Sequence, residues 1–453
     1  MTILFMKKKY QLERFFVTWL MILFMILTDA FTAFAQVKQA TVLVNGISCD
    51  LEQGILKVEF VTPDVVRVQY TGENTFMGNG TDVCLSRTVD NPVRWVYTPN
   101  PDCYLLKSDS LIVRVDLSTA SITYLDKEGR LLLQEDQNIP RISEKRVTKQ
   151  VIYDEHSKHI EKTADGDKEI KNVLRYDIIG HTWKYRINFK WQPLEALYGW
   201  GAHMEDYMNL RGKELYLCQH NLKAMVPVLN STAGYGLLFD AGCAMMFKDN
   251  SEGSFVELEA AKQIDYYFMK GKTMDAVVAN YRLLTGNSPM MPLYLFGYIQ
   301  SKERYVSSDD LINTLKEYRQ RQIPIDMIVQ DWNYWPEGQW GNMSMNPKFY
   351  PDKRKLADEI HSLHAKLMIS IWPNAMNCPQ HEEFKRKGWL LSGTSVYDAF
   401  NPLARKLYWN YANNEFFGNG FDAWWCDASE PLDADWTFMK DGYGADNHRQ
   451  RWE

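Results

Sequence analysis

Residues 421–431 read FDAWWCDASEP, and this run constrains the fold more than any other stretch of the chain. An apolar, aromatic segment stops abruptly at Asp427, and Glu430 follows three positions on. A buried strand of a parallel sheet that delivers a carboxylate to its C-terminal end reads this way, and in α/β barrels that end is where the chemistry sits. A second unit of the same kind lies upstream. IDMIVQDWNYW, at 325–335, ends its apolar run at Asp331 and continues straight into aromatic residues. Two strand-end carboxylates among tryptophans imply a cleft that handles acids and binds flat, hydroxyl-rich ligands.

The pattern around these two units is an alternation of strand and helix. Residues 293–300 form an apolar run that predicts a strand. Ser307 or Ser308 then caps a helix with Leu311, Ile312, Leu315 and Tyr318 on one face. The next strand is 325–330. Pro351 marks the start of a helix lined by Leu356, Ile360 and Leu363, and LMISIW (367–372) is a third strand. A helix over 402–417 is closed by Gly418 and Gly420, and 421–426 is the fourth strand. Strand–helix–strand at this spacing specifies right-handed parallel βαβ units. A complete (β/α)8 TIM barrel takes about 250 residues, and 290–453 falls well short of that. The expectation is therefore a partial barrel of about four βα units.

The region before it has a different period. LKVEFVTPDVVRVQ (56–69) alternates apolar and polar residues on either side of a Pro-Asp turn, and 111–133 repeats the pattern around a turn at 126–129. These read as hairpins of an antiparallel β-sandwich. The charged stretch 153–172 predicts a surface loop or hairpin. Met274, Val277, Val278 and Tyr281 fall at helical spacing before Gly286 and predict a linking helix. The expected organisation is a targeting segment (1–35), a sandwich (36–271), a linking helix (272–289) and the incomplete barrel (290–453).

The targeting segment rests on Lys7–Lys9 and Arg14, the apolar run 15–27, and Ala33-Phe34-Ala35 as a small-x-small cleavage pattern. Cleavage near Gln36 predicts an exported, periplasmic or secreted protein with no stable membrane association afterwards. Seven widely spaced cysteines carry no CxxC or Cys/His metal spacing, leave room for one or two disulfides, and do not say which would pair. Cys426 reads as a small buried strand residue. The net charge of −6 offers no footprint for nucleic acid. No cofactor or metal is implied. Aromatic residues make up 13% of the chain, including 15 tryptophans clustered toward the C-terminal half, which favours carbohydrate as ligand.

Several motifs together resemble glycoside hydrolase family 31, the retaining α-glycosidases. They are SKERYVSSDDL (301–311), IPIDMIVQDWNYWPEGQWG (323–341), NPKFYPD (346–352), LMISIWPN (367–374) and FDAWWCDASEP. LYGWGAH (197–203), NLRG (209–212) and VPVLNSTAGYGLLFD (226–240) resemble the N-terminal sandwich of the same family. The resemblance implies that Asp427 is the catalytic nucleophile. It implies that Asp331 accepts hydrogen bonds from hydroxyls of the non-reducing sugar, a task suited to a carboxylate. Trp372 and Trp425 are expected as walls of that subsite. Tyr298, Trp332 and Trp335 are further candidates, with Glu430 supporting the loop. The plain structural alternatives are loop-capping aspartates and core tryptophans.

One departure from the family pattern matters. A retaining glycosidase needs a second carboxylate about 5–5.5 Å from the nucleophile to protonate the leaving oxygen. The family's acid/base lies on a later barrel segment. Asp433, Asp435, Asp441 and Asp446 follow Asp427 without matching context. The expectation is that the acid/base is not in this chain, that the chain alone is inactive, and that it is a fragment or a truncated remnant. The stretch 323–352 most resembles the α-xylosidase branch acting on xyloglucan-type oligosaccharides, with α-glucosidase and α-galactosidase as rivals. A magnesium-dependent barrel enzyme using Asp331, Asp427 and Glu430, and a non-catalytic carbohydrate-binding protein, are the readings from other classes. Oligomeric state is left open.

Overall fold

The computed structural model describes residues 36–76, 83–84, 92–163, 166–219, 223–251, 253–391 and 394–429. The targeting segment and the stretch from Glu430 onward lie outside them. Among the described residues, no helix is long and apolar enough to cross a membrane.

The N-terminal part is two antiparallel sheets. One has eight strands and runs from Val37–Val42 at one edge, through Val65–Thr71 and Ile264–Lys270 at its centre, to Leu197–Ala202 at the other edge. The second runs from Glu214–Leu217 through the long strand Val173–Lys190 to Trp95–Pro99. The hairpin expected at 56–69 is Ile55–Thr62 paired with Val65–Thr71. The one expected over 111–133 is a three-stranded meander of Leu111–Asp116, Ile122–Asp126 and Leu131–Glu135. Alternation puts one side chain in two between the sheets. Leu56, Val58, Val113, Tyr124, Ile187, Trp200, Phe239, Phe247, Tyr266 and Phe268 from both sheets make one continuous core. Two buried ion pairs lie within it. Arg67 holds Asp265 through two bonds of 2.9 and 2.5 Å, and Arg141 holds Glu135.

The linking helix, Met274–Thr285, is capped by Thr273, whose hydroxyl accepts from the Ala276 N–H, and is ended by Gly286. Val277 and Leu284 pack on Val65, Leu238 and Met269 of the eight-stranded sheet.

The C-terminal part is a four-stranded parallel sheet, β1 (Ile299–Gln300), β2 (Met327–Gln330), β3 (Lys366–Ile371) and β4 (Ala423–Cys426), in sequential order. Its helices are α1 (Ser308–Gln320), α2 (Lys353–Ser362), α3 (Pro379–Lys387) and α4 (Pro402–Glu415). Ser307 caps α1, Asp352 caps α2 and Asn401 caps α4, each accepting backbone N–H groups of the first turn. Sequential parallel order is what βαβ crossovers produce. Among the described residues the sheet is not closed into a barrel.

Three differences from expectation have local causes. The strand predicted over 293–300 is a 3-10 turn at Leu293–Phe296 followed by only two strand residues. Its single strand neighbour is β2, so little pairing stabilises an extended run there. Helix α3 was not anticipated, although Pro379 in its first turn and Gly388 in the left-handed region at its end are ordinary start and stop signals. All seven cysteines are free thiols, and Cys426 is exposed rather than buried, because β4 is the last strand of the described sheet.

Candidate active site

Side chains alternate across each parallel strand. Ile299, Met327, Val329, Met368 and Ala423 pack together on the inner face of the sheet. Ile328, Leu367, Ile369 and Ile371 pack outward among Leu311, Leu315, Leu356 and Ile360 of the helices. Two residues beyond Val329, Met368 and Ala423, alternation returns Asp331, Ser370 and Trp425 to the inner face. Trp372 and Asp427 occupy the next step. Register agrees: Gln330 pairs with Ile369, and Ser370 pairs with Trp425. The C-terminal rim of the sheet thus carries Asp331 on β2 and Asp427 on β4, with Trp372 from β3 between them.

The two aspartates are held by the same local device. The Trp332 N–H donates to Asp331 Oδ1 at 2.8 Å, and the Ala428 N–H donates to Asp427 Oδ1 at 2.8 Å. A residue in the left-handed region then turns the chain off the strand, Asn333 with φ +58° and Ala428 with φ +51°. Asparagine tolerates that region, whereas alanine pays about 1 kcal/mol or more. Strain of this kind gathers at functional sites.

Asp331 receives a second bond from Ser301 Oγ to its other oxygen, at 3.2 Å. Burial raises its pKa above the usual carboxylate value, opposed by the Trp332 N–H and by Ser301. Its remaining lone pairs are available to donors such as sugar hydroxyls. Trp372 donates its indole N–H to Ser370 Oγ at 3.2 Å, and its carbonyl accepts from Tyr408. Its ring meets Trp340 edge-on at 5.2 Å and Trp335 at 6.2 Å, and Trp332 completes the cluster against Trp340 at 5.6 Å. The loop carrying Trp340 is fixed by Gly341. A Cβ there would sit 2.0 Å from the Asn374 carbonyl oxygen, and φ is +64°.

Strand register thus sets Asp331, Asp427, Trp372 and Trp425 along one rim, Trp425 about half exposed, while Trp332 joins the tryptophan cluster. Two expected contributors are placed elsewhere. Tyr298 precedes Ile299 and so points outward. Its hydroxyl donates to Gln300 Oε1 at 2.6 Å and its ring lies against Tyr318 of α1. Trp335 is only 5% exposed and packs among Tyr334, Trp340 and Trp372. Glu430 lies outside the described residues. The sequence reading passed over Ser301, which stands just past β1, and Ser370, fully buried under Trp372. A polar residue at a strand end facing an assigned carboxylate was the available signal for Ser301. Ser370 had none.

An antiparallel sandwich leading into parallel βα units with carboxylates on their strand ends is the architecture of a barrel enzyme. The family model described as the glycosyl hydrolase 31 N-terminal galactose mutarotase-like domain matches residues 55–247, and the glycosyl hydrolases family 31 TIM-barrel domain matches residues 288–453. The chain belongs to glycoside hydrolase family 31. It is 29% identical over 387 residues to an alpha-xylosidase of Saccharolobus solfataricus, covering 83% of this chain and 48% of that protein. It is 24% identical over 270 residues to alpha-xylosidase A of Aspergillus niger, covering 55% and 36%. The chain thus spans about half or less of the length of these relatives. Among solved structures, a GH31 alpha-xylosidase from a soil metagenome complexed with xylose superposes with a TM-score of 0.71 at 23% identity, covering 87% of this chain and 58% of the other. A Flavobacterium johnsoniae GH31 dextranase mutant complexed with isomaltotriose gives 0.71 at 19%, covering 92% and 51%.

Proposed function

We propose that this chain carries the nucleophile-bearing part of a retaining α-glycosidase that releases α-linked xylose from the non-reducing ends of xyloglucan-type oligosaccharides. The observation that carries the reading is the shared inner-face position of Asp331 and Asp427, at the ends of β2 and β4, on either side of Trp372. In this reading an Asp427 oxygen attacks C1 while the leaving oxygen takes a proton from a carboxylic acid. Water then attacks C1 and yields its proton to the resulting carboxylate, which frees Asp427. Asp331 accepts hydroxyl hydrogen bonds from the bound sugar, and Trp332, Trp372 and Trp425 pack against its C–H faces. The relatives named alpha-xylosidase support xylose as the sugar.

The proton donor would have to stand about 5–5.5 Å from the nucleophile. Asp331 is separated from β4 by a whole strand, roughly 10 Å at ordinary strand spacing, and so is too far to serve. The polypeptide 36–453 is therefore expected to give no turnover of an aryl α-xyloside. Robust turnover by it, abolished in Asp427→Ala, would overturn this division of labour. A protein carrying the whole barrel is expected to prefer the aryl α-xyloside over the matched α-glucoside and α-galactoside, and a preference for either rival would reassign the sugar. Export follows from the targeting segment, and N-terminal sequencing of the mature protein is expected to begin at Gln36.

A further inference from the structure

Strand β3 sends its side chains alternately to two faces. Leu367, Ile369 and Ile371 pack among the helices, and Met368 packs with the inner-face residues Met327, Val329 and Ala423. Ser370 continues that inner series. It is fully buried, and a buried hydroxyl costs free energy unless it is hydrogen-bonded. Among the described residues, the bond its side chain makes is to Trp372, whose indole N–H donates to Ser370 Oγ at 3.2 Å.

The backbone has little freedom here. The Ser370 carbonyl accepts from the Tyr334 hydroxyl at 2.8 Å, the Ile371 carbonyl from the Asp427 N–H at 3.1 Å, and the Trp372 carbonyl from the Tyr408 hydroxyl at 3.1 Å. What remains to be fixed is the orientation of the Trp372 ring. Rotation of an indole about its Cβ–Cγ bond has a broad, roughly two-fold preference. A half-turn about that bond leaves the ring plane where it was. The near-perpendicular contacts with Trp340 (86°) and Trp335 (82°) are set by that plane, so a half-turn leaves both angles as they are. Packing is also incomplete on one flank, where Trp372 lines a cavity with Met343, Phe384, Leu390 and Tyr397. The contact that tells the two orientations apart is the hydrogen bond, because a half-turn carries Nε1 to the opposite side of the ring axis, away from Ser370.

We propose that Ser370 is a positioning residue for the candidate sugar site, holding the Trp372 indole in one of its two orientations so that the wall it offers the sugar is set before the sugar arrives. This rests on the reading of Trp372 as a subsite wall under the proposed function. A wall with two orientations presents the right one only part of the time, and apparent affinity falls by that fraction. One neutral hydrogen bond shifts such a balance by about 2- to 10-fold. The wall touches the sugar in the ground state and the transition state alike, so the loss belongs in KM and not in kcat.

Two measurements test this, one of them independent of any activity. In the chain isotope-labelled at its tryptophan nitrogens, the Trp372 indole signal is identified by its loss in Trp372→Phe. Ser370→Ala is expected to speed hydrogen exchange of that indole N–H at least about 3-fold while the backbone amides of β3 keep their rates. An unchanged indole rate would overturn the proposal. So would β3 amides that speed up equally, since Ser370 would then support the strand and not the ring. In the protein carrying the whole barrel, Ser370→Ala is expected to raise KM for the aryl α-xyloside about 2- to 10-fold, with kcat within about 2-fold of wild type. Phenylalanine has no indole N–H, so Ser370→Ala added to Trp372→Phe is expected to change nothing further. Additive losses, or a fall in kcat at unchanged KM, would overturn the proposal. If that protein turns over none of the aryl glycosides, the sugar reading fails, and the exchange rates still decide whether Ser370 holds the ring.

Discussion

The sandwich and the parallel sheet are both built on alternating apolar strands, yet they complete their cores differently. In the sandwich, each inward side chain meets one from the facing sheet, so Trp200 lies between Phe239 and Phe247 and is fully buried. Even Asp265 and Glu135, both buried, meet arginines inside. In the parallel part, the outward side is covered by α1, α2 and α4, but the inner face at the rim carries Asp331, Asp427 and a half-exposed Trp425. Antiparallel hairpins satisfy their edges with nearby sequence, whereas parallel strands depend on partners tens of residues away. The same difference encloses the side chains of one part and leaves the acids of the other on an open rim.

Three substitutions sharpen that contrast. The largest effect is expected in the sandwich. Arg67→Met leaves Asp265 as an unpaired buried acid and should cost about 3–5 kcal/mol. Arg67→Met/Asp265→Leu should recover most of it, which urea denaturation followed on the sandwich transition would read. A double variant no better than the single one would show that the ion pair is not the cause. Next, Ile369→Ala removes a fully buried side chain between β3 and the helices. It should cost about 2–5 kcal/mol in the transition of the parallel part and leave the sandwich transition in place. A uniform shift of both transitions would mean that the two parts unfold as one.

The smallest effect lies at the opposite end of the sheet from the rim. Asp422, just before β4, receives His361 at 2.7 Å, Lys366 at 2.9 Å and the Leu367 N–H at 2.9 Å. Burial works against its ionised form, but these three donors outweigh it and hold the carboxyl below its usual value. A depressed folded pKa contributes stability above the unfolded value of about 3.9, and that stability is lost as pH falls through the folded one. Asp422→Asn should therefore cost about 2 kcal/mol at pH 7 and progressively less below about pH 4. A cost that does not change with pH would remove the carboxylate charge from the account.

Much of this was legible in the chain. Asp331 and Asp427 could be assigned to strand ends because an apolar run that stops at a carboxylate has few other readings. The hairpin at 56–69, the cap at Ser307, the helix stop at Gly286, and the change from sandwich to βα units follow from period and turn chemistry. Tyr298 and Trp335 were misassigned for a related reason. Aromatic residues next to a strand-end carboxylate look alike in sequence, and one residue of register or one layer of packing decides whether a ring meets solvent or core. Helix α3 was missed because Pro379 and Gly388 bracket a polar segment with little apolar periodicity.

The amino-acid order by itself determined the local preferences: which segments extend, which coil, where each stops, and which strands end in an acid. Only the tertiary structure decided which of those side chains share a face. Alternation flips a residue from rim to helix layer with a single step, so Ser301 reaches Asp331 while Tyr298, three positions earlier, turns to Tyr318. Facing is a property of paired strands rather than of any one segment, and pairing draws on residues far apart along the chain.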